Sequence, residues 1–161
     1  MLEFYFRMEE EEMPMRDLAD HIIARAQGTG KGITNLQLQK VLYFTIINGL
    51  KQDRITEQWL REEYDAQFLV WRYGPVVEEI YEDYSIYGAS KIFEPKEEIA
   101  EFNFLNPIIE DLLDENVFDL VNESHEHKHW KENKDHIVYG RSEIPYTTED
   151  LFNAAGQRSN A

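Results

Sequence analysis

His125-Glu126-His127-Lys128-His129 satisfies the spacing H-E-x-x-H. On a helix that spacing sets two imidazoles one turn apart, able to share a zinc ion, with the intervening glutamate placed as base toward metal-bound water. The chemistry would be peptide hydrolysis. Three features of the surrounding sequence oppose it. The ammonium of Lys128 would lie close to the cation. His136 and Glu143 could supply a third ligand only by a fold-back. Asn122-Glu123-Ser124 ahead of the motif is polar, whereas zinc-bearing helices are generally packed among apolar side chains. A surface or capping role for these histidines competes with metal binding, and no metal is assigned.

Other catalytic constellations are no stronger. Ser85, Ser90, Ser124, Ser142 and Ser159 lie in no nucleophile-elbow context. The absence of cysteine excludes thiolate zinc sites, disulfides and cysteine nucleophiles. Gly28-Thr29-Gly30-Lys31-Gly32 lacks the Lys-Ser/Thr pair of a phosphate-binding loop. The expectation is a protein without catalytic activity and without a cofactor.

The chain carries 32 acidic against 16 basic residues, a formal net charge of −16. Phosphate neutralisation requires clustered Lys and Arg, so direct nucleic-acid binding is not expected. Nor is binding to an anionic membrane, and no apolar run approaches the roughly 20 residues that span a bilayer. Such a surface favours encounter with a basic partner; solubility alone is the plainer explanation. The opening residues have neither the basic flank nor the apolar length of a signal peptide, which points to the cytoplasm.

At 161 residues the chain fits one domain with a real core. Residues 1–14, with Glu9-Glu10-Glu11-Glu12 and Pro14, are expected as an acidic extension, and residues 15–161 as the domain. Leu18, Ile22, Ile23 and Ala26 predict a helix over Asp17–Gln27 that stops at Gly28. Thr34 and Gln37 form a capping-box pattern ahead of a helix apolar on nearly every side, ended by Asn48-Gly49, which belongs at the centre of the core. On that helix Gln39 and Lys40 are expected to face solvent, the alternative being that they hold a neighbouring loop.

Residues 64–71 turn toward β-favouring types. Trp71-Arg72-Tyr73-Gly74-Pro75-Val76-Val77 then predicts a sharp junction, with Pro75 at the first helical position and the helix running to Tyr87. Another helix is expected from Asn106-Pro107, burying Ile108, Leu112, Leu113, Phe118 and Val121, and a last capped turn near Thr147. The fold class is mainly α, a compact single-domain helical fold with a short two-stranded β-ribbon. Trp71, Tyr73, Tyr81, Tyr84 and Tyr87 crowd the corner, where so much aromatic surface serves either packing or recognition.

In chain order these segments resemble the Panacea (SocA-like) antitoxin family, a bacterial and prophage group. Ile33-Thr34-Asn35-Leu36-Gln37-Leu38-Gln39-Lys40-Val41-Leu42-Tyr43-Phe44 is similar to its core helix, I-T-x-x-x-L-Q-K-L-L-Y. Phe68-Leu69-Val70-Trp71-Arg72-Tyr73-Gly74-Pro75-Val76-Val77 resembles its signature F-x-A-W-x-Y-G-P-V, and Ser124-His125 followed by Trp130 its late T-H-x-x-x-x-W element. The resemblance spans residues 15–152. Val70 stands for the usual Ala, and His129 for the Pro that commonly precedes the Trp.

The resemblance implies a non-enzymatic protein that neutralises a cognate, basic protein toxin encoded nearby, by direct contact. Partner-binding candidates are Trp71, Tyr73, Gly74, Pro75 and Tyr81, with Gln39 and Lys40 nearby. Fold support is the competing role for each. His125 and Trp130 are read as structural family elements. Two alternatives remain: a phage-associated interaction protein or protease adaptor without its own toxin, and a zinc metallopeptidase using His125, Glu126 and His129.

Overall fold

The computed structural model describes residues 12–156; most of the expected acidic extension lies outside the described residues. The first helix, α1 (Pro14–Gly28), begins inside the segment expected to precede the fold. Pro14 opens it instead of insulating it, because a first-turn proline has no N–H to satisfy. Met15 is buried, and its amide donates to Asp65 Oδ1 at 2.9 Å.

The central helix is α2 (Asn35–Lys51). Both halves of its capping box form: Gln37 N donates to Thr34 Oγ1 at 3.2 Å, and Thr34 N to Gln37 Oε1 at 2.9 Å. The helix runs through Asn48-Gly49 instead of ending there. Gly49 is where Ile55 packs, and a Cβ would collide with Ile55 Cδ1. α1, α5 (Asn106–Leu113), α6 (Val117–His125) and α8 (Thr148–Ala154) all pack on α2. Between them lie α3 (Glu57–Glu63), α4 (Glu78–Asp83) and α7 (Lys128–Asn133). The structure is mainly α with one two-stranded antiparallel sheet. No helix of the described residues is long and apolar enough to cross a membrane.

The sheet pairs β1 (Phe68–Trp71) with β2 (Gly74–Val77), Phe68 opposite Val77 and Trp71 opposite Gly74. Arg72-Tyr73 is its two-residue turn. Pro75 therefore sits in a strand, not at a helix start, and the helix that follows begins only at Glu78. A strand tolerates proline where its missing N–H has no ladder partner to serve. Gly74 makes the turn possible with φ of 102°, a region closed to side-chain-bearing residues without strain.

The helix expected from Asn106 is two helices, α5 and α6, broken at residues 114–116 and restarted by Asn116, whose side chain accepts from Phe118 N. Phe118 consequently faces outward at 58% exposure, against the expectation of burial. Residues 138–146 run beside β1: Val70 N donates to Ile144 O, Tyr146 N to Phe68 O and Arg72 N to Gly140 O. Under the sheet, Tyr43, Phe68 and Tyr146 meet edge to face, an arrangement that adds about 0.5–1.5 kcal/mol per pair beyond area burial.

Candidate functional site

The β1–β2 hairpin is gripped by polar side chains from two directions. From α2, Gln39 Oε1 accepts from Val77 N at 3.0 Å, and Lys40 Nζ donates to Pro75 O. From the late helices, Trp130 Nε1 donates to Trp71 O at 2.9 Å and His125 Nε2 to Arg72 O at 3.0 Å. Backbone groups that the short hairpin leaves unpaired thereby find partners. The His125 and Trp130 rings stack at 3.7 Å, which fixes both donors at once. Burial holds the His125 imidazole below its ordinary pKa, although its bond to the Arg72 carbonyl pulls it the other way.

Gln39 and Lys40 do not face solvent: both are 0% exposed. Burial drives the Lys40 amine well below its ordinary pKa. Gly74 and Pro75 are buried too, and Trp71 is 6% exposed. A Cβ on Gly74 would collide with Ser124 Oγ and press on Lys40 Nζ at 3.1 Å. Five of the seven candidate contact residues thus hold the hairpin from within. Tyr81 is half-buried, its ring 5.3 Å from that of Trp71, with the Arg141 guanidinium over both. Tyr73, 48% exposed, is the one candidate presented at the tip.

The tip borders an open groove of about 550 Å³. Its apolar lining comes from Tyr73, Phe118, Val121, Trp130 and Ile137, and its charges from Arg72, Lys134 and Asp135. Phe118 was missed as a surface residue because the helix break that turns it outward was not seen. Beside the tip, Val138-Tyr139-Gly140-Arg141 makes a second tight turn, with Tyr139 fully exposed. An X-Gly pair flanked by β-favouring residues could have announced that turn.

The H-E-x-x-H residues do not share a helix. His125 ends α6, Glu126 caps it, and His127 is the N-cap of α7, which carries His129. His129 Nε2 donates to Pro145 O at 2.8 Å, far from the role of His125, and Glu126 pairs with Lys131 at 2.9 Å. His127 Nδ1 accepts from Tyr43 Oη at 2.7 Å. Among the described residues no group of three or more His, Asp or Glu is arranged to hold a metal ion.

Compared with family models, with curated proteins and with solved structures, the chain gives no match.

Proposed function

We propose that this chain is an antitoxin of the Panacea type, which neutralises a cognate protein toxin by direct contact at the groove beside the Arg72-Tyr73 turn. One observation carries the reading: an exposed aromatic tip, Tyr73 with Phe118 across from it, is mounted on a hairpin fixed from inside by Gln39, Lys40, His125 and Trp130. A rigid anchor of this kind loses little freedom on binding, so its contact area is converted efficiently into affinity. The resemblance of the sequence supplies the antitoxin identity, and the net charge of −16 supports steering of a basic toxin from a distance. The family-like residues then divide by task. Gln39, Lys40, Gly74, Pro75, His125 and Trp130 shape the support, while Tyr73 and its neighbours make contact.

Co-expression with the neighbouring gene tests the reading. The wild type is expected to restore growth and to co-purify with the product of that gene. Tyr73→Ser combined with Phe118→Ser removes only exposed side chains, so the fold should melt as before while rescue and co-purification are lost. Full rescue by the double variant would remove the groove from the function. A neighbour that inhibits no growth would remove the toxin. A partner that disappears on co-expression, where the reading expects a stable complex, would instead mark an adaptor for proteolysis.

A further inference from the structure

We infer that the groove receives an acidic-apolar peptide segment of the partner: an aromatic or aliphatic side chain seated among Tyr73, Phe118 and Ile137, with an adjacent carboxylate held by Arg72 and Lys134. The inference rests on the proposed binding role and specifies the chemistry of what is bound there.

The charges of the groove run against those of the body. Acids outnumber bases 32 to 16 in the chain, and Arg16, Arg25, Arg61, Arg141 and Lys96 each pair with a carboxylate. Arg72 and Lys134, like Lys31, Lys51, Arg54 and Lys91, form no ion pair among the described residues, but these two alone converge on the lining of this apolar groove. Asp135 is the only acid of that lining. The Arg72 guanidinium lies over the Tyr73 ring at 5.4 Å. That stacking holds the planar fork at the rim and leaves its N–H edge for a carboxylate, which it can meet with two parallel hydrogen bonds. A cationic ligand would meet repulsion here although it is drawn to the rest of the surface. The partner is therefore bipolar: a basic body can be guided by the acidic flanks, while an apolar segment bearing a carboxylate enters the groove.

The groove is also preformed. The carbonyls of Trp71 and Arg72 are tied to the Trp130 indole and the His125 imidazole, so the tip need not be ordered on binding. An extended segment then supplies the affinity through one side-chain anchor and its orientation through one charge.

Random peptides displayed on phage provide the test, selected on the whole chain and counter-selected on the Tyr73→Ser/Phe118→Ser variant. The survivors are expected to carry Asp or Glu next to Phe, Leu or Ile. Synthetic copies should bind about tenfold more weakly to Arg72→Glu and to Lys134→Glu, and more weakly as salt is raised. Both positions are solvent-facing, so unchanged melting of the variants separates lost contact from lost fold. Basic or uncharged survivors, survivors indifferent to the charge reversals, or no groove-dependent survivors would each overturn the inference. Acidic-apolar survivors without growth rescue would sink the toxin reading and leave the chemistry of the groove standing. Rescue with basic survivors would do the reverse.

Discussion

Lys40 reaches the carbonyl oxygen of Pro75 from inside the core, and no carboxylate pairs with it among the described residues. Burial pushes that amine well below its ordinary pKa, because desolvation penalises the ammonium. The unfolded chain takes up a proton on Lys40 below its ordinary pKa of 10.5, whereas the folded chain does so only well below that value. Wild-type stability therefore falls as pH drops from 10.5 toward neutrality. Lys40→Met keeps the length of the stem and removes the titration. Near pH 10 the variant should be less stable by about 1–3 kcal/mol, the cost of an unsatisfied Pro75 carbonyl. The deficit should shrink at neutral pH, measured by urea unfolding. An unchanged deficit would mean that Lys40 is folded as the ammonium.

Gly74 has two separate reasons to be glycine, and they can be told apart. Its φ of 102° strains any side-chain-bearing residue, and its Cα faces Ser124 Oγ with no room for a methyl. Gly74→Ala should cost about 2–5 kcal/mol, combining backbone strain with overpacking. Made in a Ser124→Gly background, where the space is opened but φ is as before, Gly74→Ala should cost about half as much. No cost in that background, by chemical denaturation, would mean that the backbone strain is negligible.

What could be read from the residues was whatever local chemistry decides. The Thr34–Gln37 capping box formed, the last turn is capped by Thr147 as expected, and the apolar-all-round α2 is the centre of the core. The errors share a different cause: the deciding partner was a backbone group distant in sequence. Gln39 and Lys40 looked solvent-facing because their partners are Val77 N and Pro75 O, which no residue type announces. Pro75 looked like a helix start because Gly-Pro ahead of two glutamates fits one, yet the positive φ of Gly74 closes a hairpin first. His125, Glu126 and His129 matched a catalytic spacing whose premise, one continuous helix, fails at the His127 N-cap. The groove was half legible. Tyr73 stood out as aromatic beside a turn, while Phe118 and Ile137 reach the same place only through tertiary packing.

His127 gives the fold an acid limit. Burial, with a smaller push from Lys51, lowers its pKa from 6.5 to about 4, and its Nδ1 accepts from a Tyr43 hydroxyl that burial keeps protonated. A depressed folded pKa means that the unfolded state binds the proton first. The contribution of His127 is therefore complete above pH 6.5 and is lost as pH falls toward 4. His125 shifts in the same direction and adds to the slope. His127→Phe should lower stability overall by stranding the Tyr43 hydroxyl, yet flatten the decline between neutral pH and about pH 5. Parallel pH profiles for the two proteins would show that another group sets that limit.

Tyr139 occupies the position a folding-only sequence would give to asparagine or glycine. Its φ is 52° and the next residue, Gly140, has φ of 83°, so both central residues of this two-residue turn are left-handed. Turns of that type favour Asn-Gly, because a bulky side chain in the left-handed region is strained. The ring of Tyr139 is fully exposed, so nothing gained by packing offsets the strain. Tyr139→Asn should then stabilise the fold by about 0.5–1 kcal/mol, raising Tm by about 1–4 °C in a chain of this size. Because Gly140 O accepts from Arg72 N, the strained turn stands directly beside the proposed binding tip. The same substitution is therefore expected to weaken partner capture while it strengthens the fold. Higher stability with undiminished capture would exclude Tyr139 from the contact surface. Lower stability would mean that the tyrosine serves the turn itself.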